Sequence, residues 1–192
     1  MFTQSKLRTK YKNHKINRSR CIRQRFYSTT RYCQYRTLLT VVFSDQEKLF
    51  MNSAIDLAKE SFDLDEVPVG AVIVKDGNII GKGRNKVIAN KDVSSHAEIN
   101  AIRSASQNIG NYRLNGCSIF VTLEPCHMCA KAIVDARLKS LTFAAKEPKT
   151  GSIVSVDSFL DNPVLNHKVE YQFGLLETES SNLLKDFFRS KR

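Results

Sequence analysis

From Ser44 onward the chain switches between two apolar periods, and the switching lays out a run of helices and strands. Ser44-Asp45-Gln46-Glu47 is a capping box: the serine closes a free N–H of a helix start and the glutamate reaches back to the serine. Leu49, Phe50, Ala54, Ile55, Leu57 and Ala58 follow at helical spacing, which predicts a helix to about Ser61. Residues 67–74 are almost wholly apolar and read as a buried strand, with Pro68 near its start, where a missing N–H is tolerated. Asp76-Gly77 is a hairpin turn, and residues 78–82 supply the return strand. Patterning then gives a helix over 95–106, a β-branched strand over 118–123 and a helix over 126–137. A strand over 138–144, a last strand over 169–173 and an amphipathic closing helix over 177–189 complete the run. This order describes an α/β fold, a three-layer α/β/α sandwich around a central mixed sheet of about five strands. The helices over 95–106 and 126–137 each follow a strand or loop, so their N-termini can meet at one edge of the sheet.

Residues 1–43 break the pattern. Up to Ser44 the chain holds eleven Lys and Arg and no acid, mixed with Ser, Thr, Asn and Tyr. Three readings fit this basic leader: a transit peptide, a basic RNA-binding arm with stacking aromatics, or an unstructured stretch upstream of the true start. The first would place the protein in a mitochondrion or plastid; without it the cytoplasm is expected. The leader also accounts for the net charge of +11, because residues 45–192 balance nineteen basic against nineteen acidic side chains. Overall basicity is therefore no sign of a nucleic-acid partner for the folded part. At 192 residues the chain supports one core, so residues 44–192 are expected to form a single domain. No stretch approaches the ~20 apolar residues of a membrane helix.

Five cysteines, at 21, 33, 117, 126 and 129, are odd in number and include a C-x-x-C pair, which does not describe a disulfide framework. Two segments carry chemistry instead: His96-Ala97-Glu98 and Pro125-Cys126-His127-Met128-Cys129. A catalytic zinc takes three protein ligands from imidazole and thiolate and keeps one position open, and His96, Cys126 and Cys129 give that count. Cys126 and Cys129 are three apart and share a helical face, and a helix N-terminus favours thiolate. His96 and Glu98, two apart, reach one centre only if it lies off the helix end, which puts both in the first turn. There Glu98 can take a proton from a metal-activated water and pass it to a leaving nitrogen. Either half alone is unspecific: H-A-E is usually a helix surface, and C-x-x-C can be structural zinc or a redox pair. Together, thirty residues apart and each opening a helix, they match the H-x-E and P-C-x-x-C signature of zinc nucleobase deaminases. His127 either competes for the metal or sits beside it in a supporting or exposed position. Cys117 reads as a small core residue, His167 as a structural histidine or a substrate contact, and Phe187-Phe188 as core packing.

The chain from Ser44 on resembles the tRNA-specific adenosine deaminases of bacterial type. The likeness extends past the metal motif to Glu66-Val67-Pro68-Val69-Gly70-Ala71, Gly83-Arg84-Asn85, Asn111-Tyr112-Arg113-Leu114 and Val121-Thr122-Leu123-Glu124-Pro125-Cys126. It continues through Lys149-Thr150-Gly151, Asn166-His167-Lys168-Val169 and Asp186-Phe187-Phe188-Arg189. The resemblance implies a cytidine deaminase-like fold and conversion of adenosine to inosine at the wobble position of a tRNA anticodon. It implies one zinc per subunit on His96, Cys126 and Cys129, with Glu98 catalytic. Asn85, Val67 and Pro68 would contact the flipped nucleotide and line its pocket; Lys146, Glu147, Lys149, Phe188 and Arg189 would touch the anticodon loop. A homodimer acting on the anticodon stem-loop, that of arginine tRNA in particular, is implied as well. Two alternatives stay open. One is a deaminase of a free base or nucleoside, such as guanine or cytosine; the other is a silent partner subunit that keeps zinc for stability, which the presence of Glu98 argues against.

Overall fold

The structure is a computed structural model that describes residues 42–192. All but Val42 and Phe43 of the leader therefore lie outside the described residues, and the three readings of it with them.

Helix α1 (Asp45–Asp63) opens on the capping box read from the sequence: the Glu47 N–H donates to Ser44 Oγ (3.2 Å), and the Ser44 N–H donates to the Glu47 carboxylate (2.8 Å). Its buried face carries Met51, Ala54, Ile55 and Ala58. Strands β1 (Gly70–Lys75) and β2 (Asn78–Arg84) form a hairpin, with Asp76 and Gly77 both at positive φ, as a tight primed turn requires. A short helix α2 (Val87–Asn90) and helix α3 (Ala97–Ile109) lead to β3 (Ser118–Leu123). Helix α4 (His127–Asp135), β4 (Ser140–Ala145), β5 (Glu170–Phe173) and α5 (Glu177–Ser190) follow. The five strands make one mixed sheet in the order β2-β1-β3-β4-β5, with β1 antiparallel to β2 and β3, and β3, β4 and β5 parallel.

The three central strands, β1, β3 and β4, are buried on both faces because helices cover both. Ala71, Ile73, Ile119, Val121, Leu141 and Phe143 join a core with Ala97, Ala101 and Ala105 of α3 and Ala130, Ile133 and Val134 of α4. On the other face Val72, Val74, Phe120 and Ala144 pack with Met51, Ala54 and Ile55 of α1. Helix α5 lies on that second side: Phe187 meets Phe62 edge-on at 5.6 Å, and the Ser180 hydroxyl donates to Thr122 O. The result is the three-layer sandwich expected. A tight seam sits beneath α3: a Cβ on Gly83 would lie 2.2 Å from both Ala97 O and Ala101 N. Glycine there lets α3 settle directly on β2, which fixes the height of its N-terminus over the sheet.

Boundaries moved where apolar pattern and backbone geometry part. The strand expected from residue 67 begins at Gly70, because the Val69 N–H turns back to Val67 O at 2.8 Å instead of entering the ladder. Helices expected from 95 and 126 begin at Ala97 and His127, since Ser95 and Cys126 precede the first helical residues. Helix α2 and a 3-10 turn at Phe159–Asp161 are too short to carry a period and were not expected.

Candidate active site

His96 and Cys126 are the N-cap residues of α3 and α4, both in extended conformation (φ −71° and −75°), and Cys129 lies in the first turn of α4. The two helix starts face one another. His96 Nδ1 lies 3.5 Å from Cys129 Sγ and 3.8 Å from Cys126 Sγ, and the three ligand atoms fall within 4.8 Å of one another. A tetrahedral zinc with Zn–S near 2.3 Å and Zn–N near 2.05 Å sets its ligands roughly 3.5–3.8 Å apart. The donor set and its spacing therefore fit zinc.

The electrostatics follow from two thiols and an imidazole at close range. The Cys126 thiol is drawn down to about 3 by the hydrogen bond from Cys129, against the effect of burial, with His96 helping. Cys129 is pushed up as the donor of that bond and by burial; His96 is raised by its contact with Cys126. Glu98 is the second residue of α3, in its first turn, and is almost wholly buried; that burial raises its pKa. A carboxyl shifted this way exchanges protons closer to neutrality, as general acid–base work requires.

Beside the cluster opens a cavity of about 370 Å³, in the range of small-molecule pockets. Its apolar wall comes from Val67, Val69, Val87, Ile88 and Leu123; its polar groups include Asn85, Glu66, Glu98 and Glu124. Val67 and Asn85 both line the cavity. Pro68 is buried but is not among the lining residues, and Val69 shares the wall instead. The Asn85 amide nitrogen donates to Glu66 Oε2 (3.4 Å), while Glu66 Oε1 accepts from the Ala89 N–H (2.8 Å). Because a carboxylate only accepts, the amide must turn its nitrogen to Glu66, leaving its carbonyl oxygen to receive a donor from the cavity.

A second hollow of about 430 Å³ adjoins the first, sharing Leu123 and Glu147 with it. Four cations line it, Lys146, Lys185, Arg189 and Arg192, together with Phe188. Lys146, Glu147, Phe188 and Arg189 therefore gather there, whereas Lys149 is exposed and lines neither hollow. The Phe187-Phe188 pair divides: Phe187 is core, and Phe188 is 52% exposed. His127 is half-exposed and sits 2.6 Å from Asp157, outside the ligand cluster. Cys117 is fully buried in the core, and the His167 ring pairs with Leu138 O. Among the residues missed as site residues, Glu66 and Glu124 are the buried acids. Their signal is an acid set within an apolar segment, before V-P-V and before P-C.

A mixed sheet that brings H-x-E and P-C-x-x-C to two facing helix starts, beside a pocket, defines a hydrolytic nucleobase deaminase. Comparison with known proteins agrees. The MafB19-like deaminase family matches residues 44–192. A tRNA-specific adenosine deaminase of Aquifex aeolicus is 44% identical over 146 residues, 76% of this chain and 96% of that one. One of Haemophilus influenzae is 45% identical over 152 residues, 79% and 88% of the two chains. A solved structure from a study of A-to-I editing by tRNA:A34 deaminases at the wobble position of transfer RNA superposes with a TM-score of 0.69. It is 42% identical, over 71% of this chain and 99% of that one. The chain belongs to the tRNA-specific adenosine deaminases, within the MafB19-like deaminase family.

Proposed function

We propose that this chain converts adenosine to inosine at the wobble position of a tRNA anticodon, releasing ammonia. The observation that carries the reading is the joining of the catalytic cavity to a hollow lined by four cations, an arrangement a free-base deaminase does not need. The wobble base already lies in a single-stranded loop, so extruding it costs less than opening a duplex. The base enters between Val67, Val69 and Leu123, and the Asn85 carbonyl accepts a hydrogen bond from it. The flanking phosphates run over Lys146, Lys185, Arg189 and Arg192, with Phe188 offered for stacking and Glu147 at the junction. Lys149, exposed on the same loop, adds to the positive field along the strand.

Zinc on His96, Cys126 and Cys129 would supply the acidity that makes water a nucleophile near neutral pH. Glu98 takes the proton of the water that attacks the amino-bearing carbon, and returns it to the departing nitrogen. The apolar wall excludes other water and strengthens each charge contact inside. A homodimer, the anticodon stem-loop of arginine tRNA as substrate and a cytoplasmic location belong to the same proposal. Among the described residues no helix is long and apolar enough to cross a membrane.

The test is to incubate the full chain, loaded with zinc, with an anticodon stem-loop carrying adenosine at the wobble position. Free adenosine, guanine and cytosine run in parallel, with inosine and ammonia as readouts. Inosine in the stem-loop alone supports the proposal; deamination of a free base alone overturns it in favour of a small-molecule enzyme.

A further inference from the structure

Glu124 follows β3 and stands two residues before Cys126, and it is 3% exposed. Its carboxylate accepts from five donors, all within residues 147–155. Oε1 takes the N–H groups of Ile153 (3.0 Å), Val154 (2.7 Å) and Ser155 (3.0 Å). Oε2 takes the Glu147 N–H (3.0 Å) and the Ser155 hydroxyl. Both oxygens act as acceptors, so an amide in this place would set an N–H₂ against N–H donors. The loop lies close because Gly151 permits it: a Cβ there would sit 2.4 Å from Glu124 Cδ. Gly151 also bridges to Cys126, and the Ser152 N–H donates to Pro125 O at 2.9 Å. This loop belongs to no helix or strand of its own, yet it carries Glu147 and Thr150 into the catalytic cavity and Glu147 into the cationic hollow.

We infer that Glu124 is a positioning residue that clamps the 147–155 loop in its substrate-binding shape, and so controls capture of the RNA. This rests on the tRNA reading above. None of the reacting groups, His96, Glu98, Cys126 and Cys129, comes from the loop. Its loosening therefore withdraws one wall of the cavity and the junction of the two hollows without moving the proton-transferring carboxyl. Clamping in advance removes the ordering cost from the binding step.

The experiment uses the full chain with Glu124→Gln, and with Gly151→Ala as an independent way to lift the loop off an intact carboxylate. Bound zinc, hydrogen exchange of the 147–155 amides, stem-loop Kd and saturating rate are measured for each. The expected result is full zinc loading and loss of exchange protection confined to 147–155. Stem-loop Kd should rise about tenfold in both, the change that ~1.4 kcal/mol produces, while kcat of Gly151→Ala, whose substituted residue does not line the catalytic cavity, stays within about threefold. Unchanged protection, or unchanged Kd, in either metal-loaded variant overturns the inference, as does a fall in kcat at unchanged Kd. If Glu124→Gln fails to fold, Gly151→Ala decides alone. A wild-type chain that neither binds nor deaminates the stem-loop sinks the tRNA reading and the RNA half of this inference together; the exchange data still decide whether Glu124 holds the loop.

Discussion

Replacing Asn85 with Asp puts a second carboxylate where an amide now faces Glu66. The two side chains are 6% and 1% exposed, and the donor–acceptor distance is 3.4 Å. Two charges at that separation repel by about 5 kcal/mol at an effective dielectric of 20. The protein can escape by keeping a proton on one of the pair. At pH 7, holding a proton on an ordinary carboxyl costs about 4 kcal/mol, some three units at 1.36 kcal/mol each. The cheaper route sets the penalty, so about 4 kcal/mol is expected at pH 7. At pH 5 the same proton costs only about 1.4 kcal/mol. The sign follows from linkage: the folded variant holds a proton its unfolded form releases, so its stability falls as pH rises above the unfolded carboxyl pKa. Thermal melts at fixed zinc excess read this out. The variant should melt roughly 8–16 °C below wild type at pH 7 and about 3–6 °C below at pH 5. Asn85→Ala, which adds no charge, should lose stability without that pH dependence. A deficit of equal size at both pH values would refute the Glu66–Asn85 pairing, and with it the reason given for the orientation of the amide.

Glu98→Ala should keep zinc bound and lower the saturating deamination rate by about 10²–10⁴-fold, since that is the usual worth of a positioned acid–base group; retained activity removes the proton-transfer role. Cys126→Ser should lose zinc, as read by metal analysis after dialysis, and melt at a lower temperature; a fully loaded variant contradicts the ligand assignment. Deleting residues 1–43 should leave stem-loop deamination near the full-length rate, and a large loss would restore the reading of the leader as an RNA-binding arm.

Much of the site was legible in the sequence because its geometry is local. A ligand at a helix N-cap with an acid two residues on, and two cysteines three apart opening a second helix, fix their own relative directions once the helices form. Only the meeting of the two helix starts needed the fold, and the strand order supplied it. The sheet followed from the same source, since strands covered on both faces read as unbroken apolar runs. What escaped was non-local. Glu66 and Glu124 act through bonds to Asn85 and Ala89, and to residues 147–155, roughly twenty to thirty positions away. Nothing in a period marks such pairings. The wall of the cavity passed from Pro68 to Val69 for a related reason: the turn made by the Val69 N–H on Val67 O is set by backbone geometry that hydropathy does not encode. The division of Phe187 from Phe188 needed only helical direction, since neighbours on a helix point about 100° apart.

The most direct test of the central claim is isotopic. Full-length tRNA with adenosine at the wobble position is treated with the zinc-loaded chain in ¹⁸O-labelled water, and the nucleosides are analysed by mass. One labelled oxygen on each inosine, one ammonia per inosine, inosine confined to the wobble position and none with Glu98→Ala is the expected result. Unmodified tRNA, or label found only in the product of a free base, would contradict it.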